Sequence, residues 1–184
     1  MRADRLTVLV VDDDAEIVRL LGRQLSVEHE VLSAADGLAA LEILKGAPVD
    51  IVISDVQMPK LGGHDLILEI KQRYPHVVRL MVTAHGSLES AVKAINQGEV
   101  FRYLTKPWRS AELFEVMRAA GDRAREAKKA LAQDHQALLA KLELRFPGIG
   151  ADLPTGQPYR LRQKQIEDFL EQAPDEGVRL LGGG

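Results

Sequence analysis

Residues 49–63 read VDIVISDVQMPKLGG and carry the strongest structural signal in the chain. The apolar run ends on Asp55, and a turn containing Pro59 and two glycines follows at once. An apolar run of this length, closed by turn residues, is typical of a strand buried on both faces of a sheet. Ligands bind beyond the carboxyl ends of strands in parallel sheets, so Asp55 occupies a position that favours chemistry.

A second strand end carries the same kind of side chain. Thr7–Val11 is an apolar run that leads directly into Asp12, Asp13 and Asp14. If the two strands are neighbours, their ends place several carboxylates in one small pocket. Like charges this close are costly unless a cation joins them. The pattern therefore predicts a divalent metal beside a carboxylate nucleophile, whereas an isolated acidic cluster would only cap a helix.

Strand and helix signals alternate from residue 5 to residue 107. The predicted strands are Thr7–Val11, Glu30–Ala34, Val49–Ser54, Val77–Val82 and Val100–Leu104. Apolar residues at helical spacing lie between them, and the fourth such stretch begins after Ser87 and stops at Gly98. Five strands alternating with helices predict an α/β fold with a doubly wound parallel sheet and right-handed crossovers.

The chain after Pro107 follows a different pattern. An alanine-rich helix is predicted from about Ser110 to Leu144. Apolar residues recur along it at spacings of three and four, which indicates a weak coiled-coil seam. A simpler interpretation has equal support: the first three turns pack on the sheet, and the rest is a solvated helix.

These patterns divide the chain into three parts. We predict a compact domain over residues 1–120 and a helical extension, with coiled-coil character in one interpretation, over 121–146. Residues 147–184 are predicted to be a linker rich in proline and glycine, a short helix and a disordered tail.

Composition excludes several classes of function. The 184 residues include no cysteine, so neither a disulfide framework nor a thiolate metal site can form. The net charge is −3, and no basic region points to nucleic acid. No apolar run is long enough to span a membrane, and the N-terminus does not look like a signal peptide. We therefore expect a cytoplasmic protein that binds neither nucleic acid nor membrane.

Four segments together resemble the receiver domain of two-component response regulators, over roughly residues 5–120. They are VLVVDDD at 8–14, DIVISDVQMP at 50–59, MVTAH at 81–85 and YLTKP at 103–107. Any one of them is a weak signal, but four strand ends carrying the expected side chains in the expected order are specific. The resemblance implies a flavodoxin-like receiver fold with an extended C-terminal helix and a short tail.

The resemblance also implies a phosphorylation site. Asp55 would accept a phosphoryl group, and Mg²⁺ would be the cofactor. Its ligands would be Asp13, Asp55, the backbone carbonyl of Gln57 and waters, one of them held by Asp12; this is a ligand set that suits Mg²⁺. Asp14 would instead cap the following helix. Lys106 would contact the phosphoryl group, and the family's bond at Lys106–Pro107 is cis.

The remaining family positions concern switching and phosphate lifetime. Thr83 would bond a phosphoryl oxygen, and Ala84 is small enough to leave that group accessible. Tyr103 would turn inward when Thr83 moves. The alternative is a tyrosine without a switching role, at a sheet edge and with a solvated hydroxyl. Gln57 and His85 flank the site at positions that tune the phosphate lifetime in this family.

The function implied is that of a switch and not of an enzyme. A sensor histidine kinase or a phosphotransfer protein would donate the phosphoryl group, and output would pass to a downstream protein or to a second copy paired through the last helix. Residues 98–108 resemble receivers attached to HD-GYP phosphodiesterases or to ATPase activators, but no output motif follows Trp108. Two alternatives stay open: an effector module within residues 145–184, and a dimerisation module that does not accept phosphate.

Overall fold

The computed structural model describes residues 5–84 and 99–145. They form a five-stranded parallel sheet in the order β2-β1-β3-β4-β5. The strands are β1 Thr7–Val11, β2 Glu30–Ala34, β3 Ile51–Asp55, β4 Val78–Thr83 and β5 Arg102–Thr105; the helices are α1 Ala15–Leu25, α2 Gly37–Gly46, α3 Gly63–Arg73 and α4 Ser110–Arg145. This confirms the predicted doubly wound fold.

The predicted strand bounds agree closely with the observed ones. The first two strands match residue for residue, and the other three begin one or two residues later than predicted. The helix predicted after Ser87 and the elements predicted over 147–184 lie outside the described residues.

Two hydrophobic layers cover the sheet, because successive side chains of a strand point to opposite faces. One face packs against α1 and α4, and the other packs against α2 and α3. In the central strand β1, Val8 and Val10 contribute to the first layer, whereas Leu9 and Val11 contribute to the second. A strand that is apolar at every position is therefore what this architecture requires.

Aspartates at the top of the sheet begin the helices that follow. Asp14 caps α1 by accepting a hydrogen bond from the Glu16 N–H, which confirms its predicted role. Asp36 caps α2 in the same way by accepting from the Ala39 N–H at 2.9 Å. Each cap satisfies a backbone donor that the helix itself leaves unpaired.

The last helix, α4, packs on the sheet through a stripe of small and apolar residues. Leu113, Met117, Ala120 and Ala124 are all at most 3% exposed. The start of α4 is held by Trp108, whose indole N–H donates to Gln24 Oε1 at 3.2 Å on α1. This hydrogen bond ties the start of the last helix to α1.

The chain divides into two compact units, Met1–Gln133 and Asp134–Gly184, and α4 crosses the division. The described part of the second unit is the helical stretch 134–145. Because Ala124 is buried, the packing of α4 on the sheet reaches at least residue 124, and the predicted domain bounds stay a prediction. Between residues 128 and 134 every side chain but that of Leu131 is exposed, and a coiled-coil seam stays a prediction.

A buried carboxylate lies at the amino ends of the central strands, on the side of the sheet opposite Asp12 and Asp55. Asp50, just before β3, is 5% exposed. Its Oδ2 accepts a hydrogen bond from the Thr7 N–H at 2.8 Å, and its Oδ1 lies 2.8 Å from Lys128 Nζ on α4. Asp50 therefore joins the start of β1 to the last helix.

Within residues 5–84 and 99–145, no helix combines the length and the apolar character that a membrane span requires.

We expect Asp50→Ala to lower the free energy of unfolding by about 1–3 kcal/mol, because the buried Thr7 N–H loses its acceptor. Lys128→Ala should cost less than about 1 kcal/mol, since the lysine is about half exposed and solvent screens the pair. Urea denaturation of both variants measures the difference. An equal decrease in the free energy of unfolding in the two variants would contradict the role assigned to the Asp50–Thr7 hydrogen bond.

Candidate functional site

One ammonium group contacts carboxylates at the carboxyl ends of two strands of the sheet. Lys106 Nζ lies 2.7 Å from Asp12 Oδ2 and 2.7 Å from Asp55 Oδ1. Both carboxylates are buried, at 3% and 8% exposure, and the lysine side chain is 19% exposed. Three residues that are far apart in sequence thus form one charged cluster.

Three strands bring these side chains together. Asp12 follows β1, Asp55 ends β3, and Lys106 follows β5. The Lys106 N–H donates to the Thr83 carbonyl at 2.8 Å, so the end of β4 also orients the lysine. The Lys106–Pro107 bond is cis, as the resemblance implied.

Backbone donors hold the second oxygen of each carboxylate. The Asp14 N–H donates to Asp12 Oδ1 at 2.9 Å, and the Gln57 N–H donates to Asp55 Oδ2 at 2.6 Å. With Lys106 on the other oxygens, all four carboxylate oxygens have a donor. The two side chains are therefore fixed in orientation before any ligand binds.

The surroundings of Lys106 favour its charged form. Burial lowers the pKa of Lys106, but the hydrogen bonds and charges of Asp12 and Asp55 outweigh burial, and the net effect raises the pKa above its ordinary value. One ammonium offsets only one of the two carboxylate charges, so the cluster keeps a net negative charge. Asp13, exposed beside Asp12, adds to it.

The residues present suit a magnesium ion. All the predicted ligands offer oxygen, which is the donor that Mg²⁺ prefers, and the net negative charge favours a cation. Within the described part of the chain, no three acidic or histidine side chains already converge as a metal cluster. In this conformation the Lys106 ammonium lies between Asp12 and Asp55. The ligand set of Asp12, Asp13, Asp55 and Gln57 remains a prediction.

The predicted switch residues lie on β4 and β5 beside the charged cluster. Thr83 is buried at the end of β4, and Ala84 after it is exposed. Tyr103 packs with Ile67, Met81 and Val100, and its hydroxyl is buried with no hydrogen-bond partner among the described residues. Burial, with a smaller effect of Glu99, raises the pKa of Tyr103. A solvated hydroxyl at a sheet edge is therefore not what the structure has.

Gln57 and His85 are the two residues expected to tune the phosphate lifetime. The Gln57 side chain is exposed at the mouth of the site. His85 lies outside the described residues.

Sequence reasoning missed one contact near the site. Lys60 Nζ lies 2.5 Å from Asp36 Oδ2, and Lys60 has a backbone φ of 67°. The available signal was Pro59 before Lys60, because a type II turn places proline just before a residue with positive φ. That signal gives the turn, but it does not give the partner across the fold.

Comparison with known proteins agrees with this geometry. The profile of the response regulator receiver domain matches residues 8–118. The transcriptional regulatory protein GlrR of Escherichia coli K12 is 40% identical over 111 residues, which are 60% of this chain and 25% of that protein. The matched region thus spans about a quarter of the length of this curated relative.

Solved structures are similar over most of the described region. The signal receiver domain of an HD domain-containing protein from Pseudomonas fluorescens Pf-5 has a TM-score of 0.62 and 36% identity, covering 66% of this chain and 98% of that one. The response regulator TrrA of Thermotoga maritima, solved with Mg²⁺ and BeF, has a TM-score of 0.57 and 28% identity, covering 62% and 98%.

We expect Lys106→Met to lower the free energy of unfolding by about 2 kcal/mol at neutral pH, since two buried carboxylates lose a charged partner. Because folding raises the pKa of Lys106, its contribution is complete below pH 10.5, the ordinary lysine value, and is lost as the pH rises through the folded value. Urea denaturation of wild type and variant between neutral pH and pH above 10.5 measures the difference in their free energies of unfolding. Lys45→Met, at an exposed lysine, is the control. A difference in free energy of unfolding that stays constant at high pH would contradict the contact of Lys106 with Asp12 and Asp55.

Proposed function

The chain belongs to the response regulator receiver domain family, and on this premise we propose that Asp55 is the residue that accepts the phosphoryl group. Acceptance of a phosphoryl group on an aspartate is the general function of this domain. The observation that carries the assignment is the contact of one ammonium, Lys106 Nζ, with both Asp12 and Asp55 at 2.7 Å. Of these two carboxylates, only Asp55 also precedes the loop that carries Gln57.

The arrangement supports a simple transfer step. An Asp55 oxygen forms a bond to phosphorus while the bond from phosphorus to the donor's histidine nitrogen breaks, and the electron pair stays on that nitrogen. Asp55 can act as a nucleophile only when its charge is offset, and Lys106 supplies part of that offset. The Gln57 N–H fixes the orientation of the carboxylate.

Magnesium completes the proposed site. Asp13, Asp55 and the Gln57 carbonyl would bind the ion directly, and Asp12 would hold one of its waters. When bound, Mg²⁺ offsets the negative charge of the carboxylates and of the incoming phosphoryl oxygens. Asp14 takes no part, because its side chain caps α1.

Phosphorylation would be transmitted through the ends of β4 and β5. Lys106 would contact a phosphoryl oxygen, and the Thr83 hydroxyl would bond another beside the small Ala84. Tyr103 is already packed inward in this structure, and its hydroxyl is buried. A movement of Thr83 would change the packing around Tyr103. Gln57 and His85 would adjust how long the phosphate persists.

We propose that the phosphodonor is a sensor histidine kinase or a phosphotransfer protein in the cytoplasm, and that the chain acts as a switch and not as an enzyme with an external substrate. Output would then occur through contacts with a downstream protein that depend on phosphorylation.

We expect Asp55→Asn to abolish the mass gain of one phosphoryl group when the protein is treated with acetyl phosphate and Mg²⁺. The amide cannot act as the nucleophile, whereas the fold should survive the nearly isosteric change. Intact-mass spectrometry measures the outcome. Asp65→Asn, at an exposed position in the first turn of α3, is the control and should label like wild type.

A stable phosphoryl adduct on another residue of Asp55→Asn would refute the assignment. Failure of wild type to label, with the fold intact, would favour the alternative of a dimerisation module without phosphoryl acceptance.

We further propose that α4 mediates association between two copies of the chain. Its buried stripe ends near Ala124, yet the helix continues to Arg145, about 30 Å further at helical rise. An isolated helix gains most of its stability from packing an apolar face, so this extension is better explained by a partner than by propensity alone. Leu131, half-buried, lies in the exposed stretch and would belong to the contact.

We expect truncation after Lys129, which removes Leu131 and the helix beyond it, to give a monomer that is still phosphorylated, while the full chain associates reversibly. Cutting earlier would remove Ala124 from the core and Lys128 from Asp50, so it would confuse association with folding. Light scattering with and without beryllofluoride measures the molar mass of both forms. A full chain that is monomeric in both states would refute association and leave α4 as a tether.

A further inference from the structure

The loop that follows Asp55 is held at more than one point. It runs from Val56 to Gly62, between β3 and α3, and carries Gln57, whose N–H donates to Asp55 Oδ2. Its two ends touch: the Gly63 N–H donates to the Val56 carbonyl at 3.1 Å. A Cβ on Gly63 would lie 1.9 Å from the Asp55 carbonyl oxygen, so no side chain fits there.

The second half of this loop lies against the first turn of α2. A Cβ on Gly37 would lie 2.7 Å from the Leu61 carbonyl oxygen, which shows how closely the two backbones approach. Leu61 and Met58 also pack against the core layer under α2 and α3. The loop and the turn therefore share one packed surface.

An ion pair joins the same two segments. Lys60 Nζ lies 2.5 Å from Asp36 Oδ2; the Asp36 side chain is only 9% exposed, whereas the Lys60 side chain is 62% exposed. The other oxygen of Asp36 caps α2 through the Ala39 N–H, so the carboxylate is fixed by the helix and not by the lysine alone. Lys60 has a φ of 67°, a conformation that costs free energy for a residue with a side chain and persists only where its surroundings impose it.

We propose that the Lys60–Asp36 ion pair is a brace that holds loop 56–62 in the geometry in which Asp55 and Gln57 bind the metal. Lys60 is thus a positioning residue for phosphoryl transfer, acting through the loop and without touching the reacting atoms. This inference rests on the proposed function of Asp55. Because the brace fixes the loop before the ligand arrives, binding does not have to order it.

The two members of the pair allow a test that separates bracing from plain electrostatics. Lys60→Asn removes a positive charge, and asparagine tolerates positive φ. Asp36→Asn removes a negative charge, and asparagine still caps a helix. Through space, the two substitutions should shift Mg²⁺ affinity in opposite directions, whereas loss of a brace should weaken it in both.

We expect the Mg²⁺ dissociation constant, measured by calorimetry, to rise on the order of twofold to fivefold in each variant, because solvent screens a pair whose lysine is 62% exposed. In metal-free protein, amide hydrogen exchange of residues 56–62 should become faster in each. The double variant should be no worse than the single ones, because both remove the same contact. Lys60→Arg should restore wild-type behaviour, and Lys45→Gln, which breaks the exposed pair with Glu42, should change neither measurement.

Unchanged exchange in loop 56–62, or shifts of Mg²⁺ affinity in opposite directions, would overturn the brace. The exchange measurement decides this without metal. If wild type neither binds Mg²⁺ nor accepts a phosphoryl group, the function proposed for Asp55 fails separately, and loop exchange still judges the ion pair.

Discussion

The contact of the Lys106 ammonium with Asp12 and Asp55 is the interaction on which the site depends. Two buried carboxylates at neighbouring strand ends would repel each other, and neither could be held in a low-dielectric pocket without a counter-charge. The lysine joins the ends of three strands and offsets one of the two negative charges. The remaining charge leaves the pocket ready for a cation, and the lysine is already within reach of any group that Asp55 acquires.

The sheet makes this contact achievable because parallel strands end at the same edge. Residues separated by 51 and 94 positions in sequence meet there. The opposite edge has its own buried carboxylate, Asp50, which ties β1 to the last helix through Thr7 and Lys128. The carboxyl ends of the strands thus keep partly uncompensated charge at the proposed reactive site, whereas at their amino ends the buried Asp50 carboxylate has both a backbone donor and an ammonium.

Rigidity around Asp55 comes from backbone contacts as much as from side chains. Gly63 meets the Asp55 carbonyl and Gly37 meets the Leu61 carbonyl at distances that no Cβ would permit. Such close approach leaves the loop little freedom at Leu61 and Gly63, and the Lys60–Asp36 pair lies one residue before the Leu61–Gly37 contact. By contrast, the proposed switch would move side chains around Lys106 and Tyr103 when a phosphoryl group arrives, which is the division of roles that a switch requires.

The sequence alone determined the fold class, the strand positions and the identity of the charged residues. Apolar runs ending on Asp12 and Asp55 carry that information locally, because burial on both faces of a sheet dictates an unbroken apolar pattern. Only the tertiary structure decided which partners these residues have. Lys60 and Asp36, or Lys128 and Asp50, carry no local signal of their pairing, since ion pairs between distant segments depend on how loops and helices pack. The tertiary structure also decided which surface α4 packs against. Its alanine stripe could pack on a sheet or on a second helix, and in the structure Ala120 and Ala124 pack on the sheet.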